Sequence, residues 1–185
     1  MENKDTVILG GGCFWCIEHD LRALPGVLDV VSGYSGGHLE NPSYEDVLTE
    51  KTGHREAVLV TYEPETLSYR HLLQFFIDHI DPTDGEGQFA DRGESYSPAI
   101  FYKTSEEQEI AESVLQELDA SGVYDKENEV AILPRAPFYE AESYHQNYAE
   151  KNPLRYGMYR QGSGREGFVQ KTCQIREDKK IDWKE

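Results

Sequence analysis

Basic residues are scarce in this chain of 185 residues: lysine and arginine total 18 against 35 aspartates and glutamates, a formal net charge of −17. A surface of that sign repels phosphate backbones and anionic headgroups, so neither nucleic acid nor a membrane is expected as a partner. Cysteine is scarce too. Three cysteines, one pair of them in a Cys-x-x-Cys, do not make a disulfide scaffold; they fit a reducing compartment and a working thiol. No apolar run reaches bilayer-spanning length. The opening Met1-Glu2-Asn3-Lys4-Asp5 has no basic leader, and only Val7-Ile8-Leu9 follows as an apolar run. A secretory signal is therefore not expected, and a cytoplasmic location is. Repeats and linkers are lacking, so one domain over 1–185 is expected, with 153–185 as a mobile C-terminal tail inside it.

What is present centres on Gly10-Gly11-Gly12-Cys13-Phe14-Trp15-Cys16-Ile17-Glu18. The glycines permit a sharp turn after the apolar run. Ile17, Leu21 and Leu24 then recur at helical spacing until Pro25-Gly26. Cys13 thus opens a helix entered from a strand, where free N–H groups and the helix dipole favour a thiolate. Cys16 lies one turn on, within disulfide reach. Phe14 and Trp15 are core residues or an aromatic wall beside the sulfur.

Along the chain, strands are expected near 6–9, 27–31, 53–62, 99–102 and 130–133. Helices are expected at 13–24, after a Ser43 cap with Asp46 three residues on, around 72–80, at 105–121 and at 140–151. Residues 34–38 read as a glycine-rich loop and 81–98 as a long functional loop. This order predicts an α+β chain folded as a two-layer α/β sandwich, a ferredoxin-like plait with a mixed sheet; a doubly wound sheet is the alternative.

Glu56 opens an apolar strand. Facing solvent it does nothing; buried, it becomes a neutral proton donor. His54 beside it is a structural or a functional histidine. His54-Arg55-Glu56 with a Cys-x-x-Cys has the elements of a zinc deaminase site, but in the wrong order and without a third ligand, so no metal is expected. A thioredoxin-like disulfide oxidoreductase is the stronger rival, although its motif does not usually hold an aromatic pair. A non-enzymatic acidic module accounts for the core pattern but not for the thiols.

Gly12-Cys13-Phe14-Trp15-Cys16 resembles the signature of the peptide methionine sulfoxide reductase A family. So do Gly33-Tyr34-Ser35-Gly36-Gly37, Asn41-Pro42-Ser43-Tyr44, Thr52-Gly53-His54-Arg55-Glu56-Ala57, Gln88-Phe89-Ala90-Asp91-Arg92-Gly93, Ser95-Tyr96 and Phe138-Tyr139 through Gln146. The matches run in order over residues 7–160. The resemblance implies reduction of methionine S-sulfoxide, free or in oxidised proteins, without a cofactor. It makes Cys13 the nucleophile and Glu56 the acid for the sulfoxide oxygen. Tyr44 and Tyr96 would bind that oxygen, Asp91 would help place the substrate, and Phe14 and Trp15 would flank its methyl group. It implies thioredoxin as the physiological reductant, with dithiothreitol serving in vitro. One departure stands out: many relatives have glycine where this chain has Cys16. Proximity makes Cys16 the expected resolving thiol, with Cys173 of the tail as the competitor.

Overall fold

The computed structural model describes residues 3–184. Strand β1 (Asp5–Gly10) runs into the glycine turn and helix α1 (Phe14–Arg22). Strand β2 (Val27–Ser35) and short helix α2 (Tyr44–Leu48) follow, then strand β3 (Arg55–Tyr62) and helix α3 (Tyr69–Asp78). A small hairpin, β4 (Gly87–Gln88) and β5 (Asp91–Arg92), precedes strand β6 (Ala99–Tyr102) and helix α4 (Ser105–Ser121). The chain ends through β7 (Ala131–Pro134), β8 (Phe138–Glu140) and three helices, α5 (Tyr148–Lys151), α6 (Pro153–Gly162) and α7 (Arg165–Lys179).

Among the described residues the main sheet has six strands in the order β7-β6-β1-β3-β2-β8. Every neighbouring pair is antiparallel except β6 with β7. The fold is thus α+β with a mixed sheet, and the antiparallel centre rules out the doubly wound alternative. β1 alternates as a strand should. Val7 and Leu9 enter the large core with Ile17 and Leu21 of α1, Leu72, Leu73, Phe76 and Ile77 of α3, and Val114 and Leu118 of α4. Ile8 faces the other side, into a smaller cluster with Ala57, Ala99 and Phe101 that Leu133 and Phe138 cover. Each fully buried aliphatic or aromatic side chain of the large core contributes about 1.5–3 kcal/mol relative to exposure.

Several elements depart from their sequence expectation. β2 runs on through Tyr34 and Ser35, into the stretch read as loop, because Tyr34 pairs with Glu56 on one side and Tyr139 on the other. The helix expected over 140–151 is broken. Phe138–Glu140 pairs with β2, a single 3-10 turn spans Ser143–His145, and only Tyr148–Lys151 is α-helical. The loop at 81–98 holds the β4–β5 hairpin. Residues 153–185, read as a tail, carry α6 and α7. Pro153 supplies a pre-set first turn for α6, and Tyr156 is buried beneath it.

The turn between β1 and α1 has little freedom. Gly12 sits at φ +81°, and a Cβ there would lie 2.5 Å from Cβ of Gln88. Gln88 cannot yield easily, since its amide accepts from Asp81 N–H at 2.7 Å and donates to the Asp81 carbonyl at 2.7 Å. Gly12→Ala is accordingly expected to lower stability by about 1–3 kcal/mol through backbone strain alone, with the clash added. Urea unfolding of the two proteins measures it, and coincident midpoints would refute the constraint.

Candidate active site

The glycine turn delivers Cys13 to the N-cap position of α1, where its carbonyl accepts from Cys16 N–H at 3.1 Å. The next free N–H, that of Phe14, donates to Oε2 of Glu56 at 3.0 Å. Glu56 is only 3% exposed, held in β3 opposite Tyr34 of β2. Its carboxyl therefore sits at the head of the helix beside Cys13. Burial pushes it up to about 8, and the nearby negative charge of Asp91 adds to the rise, while the Phe14 N–H and the Tyr96 hydroxyl oppose it. At neutral pH the carboxyl is mostly protonated, a proton donor rather than a base.

Around it a cavity of about 190 Å³ is lined by Cys13, Phe14, Trp15, Tyr44, Glu56, Asp91, Tyr96 and Tyr159. Each element aims one or two of these inward. The Ser43–Asp46 capping box starts α2 and fixes Tyr44 in its first turn, where Tyr44 N–H also donates to Glu142 at 3.2 Å. The β4–β5 hairpin presents Asp91, and the turn of 3-10 helix at Glu94–Tyr96 presents Tyr96. The hydroxyls of Tyr44 and Tyr96 are hydrogen-bonded to each other, and burial drives Tyr44 up to about 12 and Tyr96 higher still. Both remain neutral hydroxyls, able to donate. The structure thus gathers Cys13, Glu56, Tyr44, Asp91, Tyr96, Phe14 and Trp15 on one wall set.

The aromatic wall is braced from outside. Trp15 stacks on Tyr148 at 3.7 Å between ring centroids, and its Nε1–H donates to Nδ1 of His145 at 3.1 Å. Accepting at Nδ1, and held neutral by burial, His145 carries its proton on Nε2. Its ring also packs against Phe14 at 5.0 Å and Tyr44 at 4.6 Å. His54 closes to its structural alternative. Its Nδ1 accepts from Gly37 N–H at 3.0 Å and its Nε2 meets the Leu39 carbonyl at 2.7 Å, which pins the 36–39 loop.

The thiols do not behave as a helix N-terminus alone would dictate. Cys13 is 6% exposed and Cys16 is fully buried, packed with Tyr156. Burial pushes the Cys13 thiol up, and the Cys16 sulfur and the Glu56 carboxyl push it the same way. The expected low-pKa thiolate at Cys13 is therefore corrected: desolvation outweighs the dipole. Cys16 moves down to about 7, chiefly because the Cys13 thiol donates to it, with Arg165, Tyr156 and Arg160 assisting against burial. Cys173 is exposed on α7 and lines no part of the cavity.

Two residues of the cavity's surroundings escaped sequence reasoning. Tyr159 donates its hydroxyl to Asp91 and lies beside the Cys13 sulfur. Arg165 is buried beneath the glycine turn. Both lie beyond Asn152-Pro153, where composition reads as tail; the one available signal was Tyr156 and Tyr159 at helical spacing.

The raised Glu56 carboxyl has a stability consequence with a definite sign. Its pKa rises from 4.5 to about 8 on folding. Below the lower value both states are protonated and the contribution is complete. As pH climbs towards about 8 the unfolded chain ionises first, and the contribution is lost. Glu56→Gln lacks this titration. Urea unfolding from pH 5 to 8 should show wild type losing ground to the variant by up to about 1.4 kcal/mol per pH unit, and parallel profiles would contradict a buried neutral carboxyl.

Comparison with known proteins agrees with this geometry. A family described as peptide methionine sulfoxide reductase matches residues 5–177. A peptide methionine sulfoxide reductase MsrA of Bacillus subtilis is 51% identical over 168 residues, covering 91% of this chain and 95% of its own. The solved methionine sulfoxide reductase A of Corynebacterium diphtheriae superimposes with a TM-score of 0.73 at 32% identity, covering 83% of this chain and 77% of that one. The Mxr1 protein of Saccharomyces cerevisiae, solved in complex with Trx2, shares the fold at a TM-score of 0.50 and 23% identity, over 79% of this chain and 85% of that one. With half its residues shared across nearly its whole length, and a thiol, a protonated carboxyl and an aromatic wall around one small cavity, the chain belongs to the peptide methionine sulfoxide reductase family.

Proposed function

We propose that the cavity reduces methionine S-sulfoxide by attack of the Cys13 sulfur on the sulfoxide sulfur while Glu56 protonates the sulfoxide oxygen. The observation that carries this is the neutral, buried Glu56 carboxyl at the head of α1, beside Cys13. A sulfoxide oxygen leaves poorly until protonated, so an acid is needed within reach of the nucleophile. The substrate's methyl group lies against Phe14 and Trp15. Its oxygen is held by the hydroxyls of Tyr44 and Tyr96, both of which stay protonated. Asp91, bonded to Tyr159, helps place the substrate. The Cys13 thiol and the sulfoxide become a Cys13 sulfenic acid and methionine; the sulfur of Cys13 is oxidised as that of the substrate is reduced.

Cys16 then attacks the sulfenic sulfur. An S–S bond forms, the S–O bond breaks and water leaves. An external dithiol reduces the disulfide. Thioredoxin is the reading for the cell, supported by the yeast relative's complex with Trx2, and dithiothreitol serves in vitro. Free methionine sulfoxide and oxidised proteins both fit, with protein repair as the role and the cytoplasm as the place. The strand order β6-β1-β3-β2, with α1 and α3 as crossovers, supports reading the centre of the fold as a ferredoxin-like plait.

The test supplies a racemic methionine sulfoxide peptide and dithiothreitol and scores the epimers. Only the S form should disappear; insulin reduction with both epimers untouched would point to a disulfide oxidoreductase. Cys13→Ser should abolish turnover, and Glu56→Gln should slow the first turnover by about 10²–10⁴-fold. For resolution, each variant is oxidised with one equivalent of sulfoxide and its disulfides are mapped by peptide mass. Cys173→Ser should form Cys13–Cys16 and recycle with thioredoxin, while Cys16→Ser stalls at the sulfenic acid. The reverse pattern would hand the role to Cys173.

A further inference from the structure

The cavity around Cys13 does not stand alone. A wider groove of about 410 Å³ adjoins it, and the two share Trp15, Tyr44 and Tyr159 as lining residues. Tyr144, His145, Tyr148 and Arg155 complete the groove. Its walls are therefore rings, with one guanidinium among them. The rings hold one another in place. Tyr148 stacks on Trp15 at 3.7 Å and Tyr159 meets Trp15 edge-on at 5.8 Å. Tyr44 and Tyr144 pack on the His145 ring at 4.6 and 4.1 Å between centroids. A site braced in this way is ordered before anything binds, so little side-chain entropy is lost on occupation.

Two of these residues have no part in the chemistry at Cys13. Tyr144 is 57% exposed, and its hydroxyl donates to Glu142 at 3.3 Å. Arg155 of α6 is exposed and makes no hydrogen bond or ion pair among the described residues. Aspartate and glutamate number 35 in this chain, yet none meets this cation. The geometry of a substrate indicates what does. The inner cavity, about 190 Å³, has the scale of one side chain, so a substrate's backbone passes over its mouth. In an extended segment alternate side chains point to the same face, about 7 Å apart. When an oxidised methionine enters the cavity, the side chain two positions away also faces the protein, at the distance of an adjoining pocket. Rings pair with rings, offset or edge-on, and a guanidinium is attracted to a ring face. An aromatic side chain uses both features of the groove, and an aliphatic one uses neither.

We propose that the groove is a specificity subsite for an aromatic side chain lying two positions from the methionine sulfoxide in an extended protein segment. This rests on the reading of the Cys13 cavity as the sulfoxide site. Tyr144 and Arg155 recognise the neighbouring residue and leave the sulfoxide to the inner wall. Free methionine sulfoxide leaves the groove empty and gains nothing from it.

The test uses the full-length chain with dithiothreitol and capped alanine peptides carrying methionine S-sulfoxide at the centre. Phenylalanine or glutamate replaces one alanine, either next to the sulfoxide or two positions away, on each side in turn. Phenylalanine two positions away on one side should raise kcat/KM about tenfold over the alanine host. The gain should lie in KM, because a contact remote from the sulfoxide is made equally in the ground and transition states. In Tyr144→Ala/Arg155→Gln the preference should disappear. Glu142 then keeps Tyr34 and the Tyr44 N–H as partners, and a ratio taken within one protein cancels any general loss of activity. Tyr144→Phe/Arg155→Lys should retain most of the preference. Absence of a preference in wild type overturns the proposal even if the double variant fails to fold. So does a preference confined to the adjacent position, one that the double variant keeps, or glutamate outranking phenylalanine, which would make Arg155 an ion-pair site. With thioredoxin as reductant, a KM for thioredoxin that rises in the double variant while the peptide preference stays would make the groove a reductant-docking surface instead. Wild type that reduces neither the alanine host nor free methionine sulfoxide would overturn the reading of the cavity, and the subsite with it. Reduction of the host without any preference removes the subsite alone.

Discussion

One hydrogen bond ties the molecule together at its site: the Phe14 N–H donating to the Glu56 carboxyl. The donor is a free amide at the head of α1, one of the groups every helix leaves unpaired. The acceptor belongs to a central strand of the sheet. The bond fixes how far the helix stands from β3, and Cys13 is carried between them. It requires the helix to begin immediately after the sheet edge, hence the tight turn at Gly10-Gly11-Gly12. Gly11 shows the same closeness: a Cβ there would come within 2.8 Å of the Phe76 ring. Packing of α3 and placement of the thiol are therefore one constraint.

The two cysteines show how burial reorders an argument made from helix dipoles. A dipole at an exposed helix end adds at most a modest stabilisation of charge, and sealing a thiol from water opposes it more strongly. Cys13 is buried beside Glu56 and Tyr159, and burial together with the Cys16 sulfur and the Glu56 carboxyl pushes its thiol up. Cys16 is sealed as thoroughly, yet it accepts from Cys13 and lies within the influence of two arginines. Of the pair, the inner sulfur is shifted down and the outer one up. The identical residue type, three positions apart, takes opposite character from what α6 and α7 place behind it.

The first two-thirds of the chain are largely legible from sequence, because their signals are local. Alternation marks Glu56–Tyr62, a stripe of Leu72, Leu73, Phe76 and Ile77 marks α3, and Ser43 with Asp46 marks a cap that forms as expected. Cys13, Glu56, Tyr44, Asp91, Tyr96, Phe14 and Trp15 fall in motifs whose spacing survives as a cavity lining. What is not legible depends on distant partners. Tyr34 reads as loop until β8 arrives from more than a hundred residues away to pair with it. α6 and α7 are polar over most of their faces, and their inward residues acquire meaning only from distant partners: Tyr156 and Tyr159 against the head of α1, Arg165 against the carbonyls of Gly11 and His79. A buried arginine has no periodicity, and nothing in its neighbours announces two carbonyls from other segments.

The size of the cavity, about 190 Å³, bears on which damaged proteins can be served. That is the scale of one slender side chain. A methionine sulfoxide held in a packed interior is out of reach, so the pool open to repair is set by the substrate's own fluctuations, not by its sequence alone. Oxidation helps to create that pool: the sulfoxide is polar, and burying it destabilises the surrounding packing and raises the frequency of local opening. Damage that loosens a protein makes itself available, and damage a protein tolerates in its interior persists unseen.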